Sequence, residues 1–451
     1  MPPPPPACAT SEDYEQALEA LSGSAPDLLL INPNRRTQVN ARASHIKGSR
    51  PRQPLGIAYT AATLRKGGVC VRLMDASILH WTAQHTADIA RRIRPRFVCV
   101  STTQLDRWQN PDLDLTEVFA LIDAIAVGGD LPVIVEGTHG TVTPQWIFEK
   151  CRASYVIRGE PELTTLETMQ AILSGKPLAG IAGLSWREAG VVRSNPDRRF
   201  DKPLDEYPFP AYDDLPMRLY RYTLEDDLPA PFTLMLTSRG CPISCTFCLK
   251  AMMPKGSRFR SPANVVEEMR LLGSLGIRSI YFQDWEFAAN RTRAREVCQA
   301  LAEADLGLRW GCSCRIGDLD DMLVALMVKA GCVVVNVGFE TGSQKMLDAV
   351  EKHITIQQVE TGLAACRKFG LKLRFFGLVN LPGETLETIE ESTAFLAKHG
   401  MDVVNPNIPI PYPGTKMYAA MGKEVPWDRV EDESGRVNTV LSPEQASAIF
   451  W

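Results

Sequence analysis

The chain has no stretch near the roughly 18 consecutive apolar residues that a membrane-spanning helix needs. Its start lacks both a basic segment and an apolar core, so no secretory leader is expected. An excess of positive charge is missing too: 49 Lys and Arg stand against 53 Asp and Glu, for a net charge of −4. That excludes the broad basic field on which non-specific nucleic-acid binding depends. Histidine is scarce, with six in 451 residues, and none stands in a D-x-H-x-x-G motif. With 45% hydrophobic and 23% charged residues the composition is that of an ordinary folded protein. At about 150 residues per domain, two or three domains are expected, in the cytoplasm. Twelve cysteines in a reducing compartment read as thiols and metal ligands rather than as a disulfide frame.

Five prolines open a polar tail, expected to be disordered over residues 1–26 apart from a short helix near Tyr14–Leu21. Order begins at Asp27-Leu-Leu-Leu-Ile31, and further apolar strands are predicted at Val69–Met74, Phe97–Ser101, Pro132–Val135 and Tyr155–Ile157. Helices are predicted at Leu55–Lys66, which stops at Gly67-Gly68, and at Leu115–Ala126. The alternation predicts an α/β fold, a doubly wound parallel sheet over residues 27–175, with ligands at the carboxyl ends of its strands. Residues 176–230, rich in Pro, Asp and Tyr towards their end, read as a linker. A second series over 231–420 places strands at Phe232–Thr237, Ile280–Gln283, Leu308–Cys312, Val333–Gly338, Lys372–Gly377 and Asp402–Asn407. Helices such as Val265–Leu275 and Ala294–Ala304 separate them. Six such repeats are too few for a full barrel of about 250 residues and predict a partial (βα)6 barrel. Residues 421–451 form a C-terminal segment, ending in a helix begun at Ser442-Pro443 and read as truncated.

The most specific feature is Cys241-Pro-Ile-Ser-Cys245-Thr-Phe-Cys248, a C-x3-C-x2-C loop directly after a predicted strand. A 4Fe-4S cluster ordinarily takes four cysteines. Three, with no fourth nearby, leave one iron open to a non-protein ligand. Zinc is the alternative, but its tetrahedral sites favour paired C-x2-C knuckles or histidines, and no second knuckle follows. The remaining cysteines, including the Cys312/Cys314 pair, fall mostly on apolar runs and read as buried thiols.

This loop resembles that of the radical S-adenosylmethionine (radical SAM) superfamily. Phe247 stands at its aromatic position before the last cysteine. The resemblance implies that the open iron chelates S-adenosylmethionine. It further implies that Gly338-Phe-Glu340 sets a carboxylate near the methionine amino group, and that Trp310–Arg315 carries an arginine to the bound cosubstrate. Leu381-Pro382 in Leu381-Pro-Gly-Glu-Thr385 would pack by the adenine, and Pro411–Thr415 would close the barrel. The first half is similar to the cobalamin-binding domain of one large branch, its methyltransferase-type members included. Ile31-Asn32-Pro33, Pro54–Tyr59 with Gly56, Glu136-Gly137-Thr138-His139, Arg158-Gly159-Glu160 and Pro208–Asp213 carry that likeness. On it Asn32, Gly56, Thr102, Gly137, Thr138, His139, Gly159 and Glu160 are the expected cobalamin-binding residues.

Three departures stand out. Glu136 occupies a glycine position where the corrin edge would approach. The family's Asp-Asp-x-x-Phe reads Asp284-Trp-Glu-Phe287, and Asn380 replaces a glycine. Asp284 and Glu286 are the candidate catalytic carboxylates; Glu286 could approach the open iron or take a substrate proton, or simply hydrogen-bond at a strand end. Arg35, Arg36, Arg50 and Arg52 read as a solvated loop, with anion or corrin-amide binding as the other use.

The expected function is a cobalamin-dependent radical SAM methyltransferase acting on an unactivated carbon of a small molecule or natural product. A cyclase, oxidase or ring-rearranging enzyme with the same cofactors is the alternative, and an iron–sulfur carrier or sensor a third reading. A reductant such as flavodoxin or ferredoxin is the expected protein partner, with no nucleic acid and no membrane span.

Overall fold

The computed structural model describes residues 25–35, 52–127, 131–217, 219–220, 228–253, 256–401, 403–422, 424–430 and 440. The proline-rich opening with its expected helix, and the helix expected from Ser442, lie outside the described residues. Two compact units divide the chain, one formed by residues up to Tyr222 with a short return at 251–254, the other by the remainder. Among the described residues no helix is long and apolar enough to cross a membrane.

The first unit is built on β1 (Leu28–Asn32), β2 (Val71–Asp75), β3 (Phe97–Ser101), β4 (Val133–Glu136), β5 (Tyr155–Ile157), β6 (Leu184–Glu188) and β7 (Val191–Ser194). They lie in the order β2-β1-β3-β4-β5-β6-β7. β1 to β5 run parallel, and β6 and β7 run antiparallel. All residues of β1, β3 and β4 are buried, as parallel strands covered on both faces must be. The order 2-1-3-4-5 reverses direction between β1 and β3, so the carboxyl ends of those strands, Asn32 and Ser101, open on the crevice where such sheets take ligands. The β6–β7 hairpin corrects the predicted linker: residues 184–194 complete this sheet. β6 looks buried at one end only (Leu184–Trp186) and β7 is largely exposed, so neither shows the apolar run of a parallel strand.

The helices of this unit are α1 (Leu55–Lys66), α2 (Ala83–Ile93), α3 (Thr116–Val127), α4 (Thr138–Val142), α5 (Pro144–Lys150) and α6 (Pro161–Leu173). α1 matches its predicted bounds and ends at Gly67, with Gly68 at φ +82°. α2 is polar enough to escape notice, yet Thr82 caps it by accepting from the His85 N–H at 3.2 Å.

The second unit holds six parallel strands, β8 (Phe232–Met235), β11 (Ser279–Phe282), β12 (Arg309–Cys314), β13 (Cys332–Glu340), β14 (Lys372–Leu378) and β15 (Val403–Asn407), in the order β15-β14-β13-β12-β11-β8. Each predicted strand of the partial barrel is present. Between the first two lies a ribbon missed in the sequence, β9 (Ser238–Cys241) antiparallel to β10 (Gly256–Phe259). The helices are α7 (Pro262–Ser274), α8 (Arg291–Ala304), α9 (Asp321–Lys329), α10 (Gln344–Ala349), α11 (Ile356–Lys368), α12 (Leu386–His399) and α13 (Lys416–Ala419). Side-chain caps at Ser261, Asn290, Asp320, Thr355, Thr385 and Thr415 start six of them. Cys312 and Cys314 are buried with their sulfurs 3.7 Å apart, and burial pushes the Cys314 thiol up to about 11, as expected of packing thiols.

Candidate active site

In the second unit the cysteine loop leaves the end of β9, where Cys241 pairs with Gly256 across the ribbon. Gly240 takes φ +89°, a conformation open to glycine, just before the first cysteine. The start of the loop is pinned at Thr237. The Thr237 N–H donates to Asp284 Oδ1 (2.7 Å), its hydroxyl to Oδ2 (2.5 Å), and the Ser238 hydroxyl to Oδ2 (2.7 Å). From the other side Arg293 donates to Thr237 Oγ1 (2.9 Å) and to the Thr237 carbonyl (2.6 Å), which also accepts from the Arg260 N–H at 3.0 Å. Further along, the Thr246 N–H donates to the Val350 carbonyl (3.1 Å), and the Met417 N–H donates to the Thr246 carbonyl (3.0 Å). The Ser244 hydroxyl donates to Glu351 Oε2 (2.9 Å) and lies 3.1 Å from His353 Nε2.

Cys241, Cys245 and Cys248 are half-buried free thiols. Burial pushes all three up, Cys248 to about 12, while the ammonium groups of Lys250 and Lys352 pull each of them down. Such thiols give up their protons when a cation arrives to take the charge. Two lysines beside three cysteines also balance the net negative charge of a thiolate-held cluster. Among the described residues no three His, Cys, Asp or Glu side chains converge on the position of one ion. Three sulfurs spread along one loop are the donor set of a multi-iron cluster, and the residues fit that group.

The two candidate catalytic carboxylates have other partners. Asp284 is 2% exposed and holds the root of the loop, as described above. Glu286 accepts the Ala288 N–H on Oε1 (3.1 Å) and the Arg315 N–H on Oε2 (2.5 Å), so it ties the end of β11 to the end of β12. Burial raises it to about 8, against the pull of those N–H groups and of Arg315. Both carboxylates brace the strand ends through these bonds.

Arg315 has protein partners as well. Its guanidinium grips Asp318 through Nε (2.7 Å) and Nη2 (3.0 Å), and its Nη1 donates to the carbonyls of Lys352 (2.9 Å) and His353 (3.2 Å). It fastens the loop of Lys352 and His353 to the end of β12. Glu340 lies at a β-bulge at the end of β13, with φ +62°, and accepts from Lys352 Nζ at 2.5 Å. Gly338 explains its own place in the motif: a Cβ there would stand 2.6 Å from Glu340 Oε1 and 2.8 Å from Lys352 Nζ. Leu381 is fully buried with Met346 and Val350, and Phe247 packs on that cluster, so the aromatic of the cysteine loop meets the Leu-Pro-Gly-Glu loop in one core; Pro382 is half-buried. Asn380 stands at a glycine position because it too adopts φ +61°, which asparagine tolerates. Its N–H and that of Leu381 donate to Glu384 Oε2 (2.5 and 3.2 Å).

In the first unit the expected cobalamin residues gather at one end of the sheet. Asn32 ends β1, Thr102 follows β3, Gly137, Thr138 and His139 follow β4, and Gly159 and Glu160 follow β5. Gly56, inside α1, lies against Leu105 and Trp108 of the loop after β3. Many of the polar side chains are bound to one another. Asn32 donates to Asp75 Oδ1 (2.7 Å) and accepts from Arg35 (2.9 Å), which also reaches the Ser101 carbonyl (2.7 Å) and the Thr102 carbonyl (3.2 Å). Arg35 is therefore part of the sheet's end and not of a solvated loop, and Arg52 pairs with Asp106 at 3.0 Å; Arg36 and Arg50 lie outside the described residues. Thr102 donates to the Glu136 carbonyl (3.0 Å) and Thr138 to the Trp108 carbonyl (3.3 Å). The Gly159 N–H donates to Thr141 Oγ1 (2.9 Å), and Glu160 is buried just before α6.

His139 is fully buried between Thr103 Oγ1 (3.1 Å from Nδ1) and the Asp112 carbonyl (2.9 Å from Nε2). Burial lowers it to about 4, so it is neutral and both nitrogens have partners. It braces a loop and offers no nitrogen to a metal, in keeping with the missing D-x-H-x-x-G motif. Gly137 at φ +116° brings the β4 loop against the β3 loop, with 2.5 Å from its would-be Cβ to Thr102 Oγ1. Glu136 is 2% exposed, and its Oε2 has no hydrogen-bond partner. An orphaned buried carboxylate oxygen at the carboxyl end of β4, next to the switch point, fits a ligand rich in amide donors, as cobalamin is.

Burial raises the Glu136 carboxyl from 4.5 to about 7. A carboxyl raised on folding stabilises in its protonated form. That contribution is whole below about pH 4.5 and lost as the pH rises through about 7, a change on the order of 3 kcal/mol. Glu136→Gln is therefore expected to gain stability over the wild type between about pH 5 and pH 8 in urea titrations. A constant difference across that range would remove the assignment.

The family model "Radical SAM superfamily" matches residues 235–396, and "B12 binding domain" matches residues 51–168. The chain is 32% identical over 369 residues to the uncharacterized methyltransferase PH0819 of Pyrococcus horikoshii, covering 81% of this chain and 77% of that one. It belongs to the cobalamin-binding radical SAM superfamily. As a member it takes a 4Fe-4S cluster, S-adenosylmethionine and cobalamin, and it stands among the methyltransferases. The chain is also 27% identical to the anaerobic magnesium-protoporphyrin IX monomethyl ester cyclase of Rubrivivax gelatinosus, over 88% of its length and 70% of the cyclase. In fold it is similar to the radical SAM methyltransferase TsrM of Kitasatospora setae, solved with cobalamin and a [4Fe-4S] cluster. The TM-score is 0.70 at 21% identity, over 88% of this chain and 74% of that one.

Lys352 and Arg293 were missed in the sequence. Neither stands in a motif, and only the fold brings them to Glu340 and Thr237.

Proposed function

We propose that this superfamily member methylates an unactivated carbon of a small-molecule or natural-product substrate. When bound, the groups supply reductive cleavage of S-adenosylmethionine at the cluster and carriage of a methyl group on cobalamin. The observation that carries the reading is the anchored three-thiol loop, in a chain that also holds a B12-binding domain.

The chain's own residues hold and orient. Cys241, Cys245 and Cys248 bind the cluster, and Asp284 with Arg293 fixes the strand from which they hang. Glu286 and Arg315 lock the ends of β11 and β12, so the donors around the cluster keep their places during turnover. Glu340 offers an anionic oxygen to the cosubstrate. In the first unit Glu136 would accept from the amide donors of the corrin, Gly137 and Gly56 let the neighbouring loops pack closely, and neutral His139 holds the loop after β4. The chain works in the cytoplasm, where flavodoxin or ferredoxin can supply the electron.

The product decides between outcomes. Anaerobically reconstituted protein, given reductant, S-adenosylmethionine and a panel of candidate small molecules, should release 5′-deoxyadenosine and a product heavier by one methylene. A dehydrogenated or cyclised product without that gain would move the protein to the cyclase reading, which the Rubrivivax relative supports.

A further inference from the structure

Four separate features of the second unit converge on one side chain. Lys352 is 7% exposed, and its ammonium donates to Glu340 Oε1 at 2.5 Å. Glu351 and His353, on either side of it, adopt φ +53° and +55°. Left-handed backbone at two residues with side chains costs on the order of 1 kcal/mol or more each, and persists where the surroundings enforce it. Arg315 enforces it here, donating to the carbonyls of both Lys352 and His353 while Asp318 holds its other edge. Gly338, finally, is the residue whose missing Cβ leaves room for both the Lys352 nitrogen and the Glu340 oxygen.

A buried lysine needs a partner, and a buried ion pair by itself adds little to stability. The expense of two strained residues, an arginine clamp and an obligatory glycine points to placement. Among the described residues only Lys352 reaches the Glu340 carboxylate, and it takes Oε1. We infer that Lys352 is a positioning residue that fixes Glu340 as an anion, with Oε2 turned to a hydrogen-bond donor of the cosubstrate. That donor is the ribose diol or the α-ammonium of S-adenosylmethionine. The inference rests on the function proposed above and adds to it a residue outside every motif.

The test uses the full chain with its cluster reconstituted, and equilibrium binding as the readout. Wild type, Lys352→Met, Lys352→Arg, Glu340→Gln and the double variant Lys352→Met/Glu340→Gln are titrated with S-adenosylmethionine. Lys352→Met should weaken binding at least ~10-fold with cluster content and absorbance unchanged, and Lys352→Arg should restore most of it. In the Glu340→Gln background the same change should have less than ~3-fold effect, because the two residues act through one carboxylate. Competition by 5′-deoxyadenosine and by methionine then separates the sources: the one whose binding falls with Lys352→Met carries the donor. Unchanged affinity in Lys352→Met, or equal losses in both backgrounds, overturns the inference. A variant that loses its cluster also overturns it, since Lys352 would then serve the cysteine loop. A wild type that binds no S-adenosylmethionine would instead refute the proposed function.

Discussion

Cys245→Ala is expected to leave a folded chain that cannot hold a complete cluster and forms 5′-deoxyadenosine at least ~100-fold more slowly. The sulfur is half-buried on a loop whose backbone bonds, Thr246 to Val350 and Met417 to Thr246, do not involve it. Its removal should therefore cost about 1 kcal/mol of stability or less. Cys312→Ala is the informative contrast. That thiol is fully buried against Cys314, so its loss should cost stability through a small cavity while cluster content stays at the wild-type level. Iron and sulfide analysis beside thermal unfolding separates the two. A full cluster in Cys245→Ala, or a depleted one in Cys312→Ala, would mean that the wrong thiols have been assigned.

The second large effect is expected at Asp284. Its two oxygens take the Thr237 N–H, the Thr237 hydroxyl and the Ser238 hydroxyl, all buried. Asp284→Ala leaves these buried donors without an acceptor, for a cost of about 3–5 kcal/mol. Because Thr237 and Ser238 lead into Cys241, cluster retention should fall with stability. Asp284→Asn keeps one acceptor oxygen and should fall between wild type and Asp284→Ala in both measures. If Asp284 were instead a proton-transfer group, Asp284→Asn would keep cluster and stability and lose turnover alone.

Most strands were legible because a buried parallel strand announces itself as an unbroken apolar run. Leu28–Ile31, Phe97–Val100 and Val133–Val135 cannot be exposed, and each proves fully buried. The hairpin Leu184–Ser194 was not legible, because an edge pair with solvent on one side carries little apolar signal. The β9–β10 ribbon hid for another reason: its residues, Ser-Arg-Gly-Cys and Gly-Ser-Arg-Phe, are set by the cysteine loop between them.

At the site, spacing alone disclosed the three cysteines. Motif likeness also pointed to Gly338 and Glu340, but could not say why the glycine is there; the geometry gives the reason in the Lys352 nitrogen it must admit. Likeness did not disclose the structural partners of Arg315, His139, Asp284 and Glu286. A buried polar residue in a motif reads as a ligand contact until its hydrogen bonds are counted, and here those bonds run to backbone and neighbouring side chains. Lys352 shows the converse, since nothing in Ala349–Ile354 marks a lysine as special until the chain folds.

The most direct test is the iron spectroscopy of anaerobically reconstituted, reduced protein before and after addition of S-adenosylmethionine. The account predicts a 4Fe-4S cluster held by Cys241, Cys245 and Cys248, with one distinct iron whose Mössbauer and electron paramagnetic resonance signals change when the cosubstrate binds. Zinc in place of iron, or a cluster of four equivalent cysteine-held irons that ignores the addition, would contradict it.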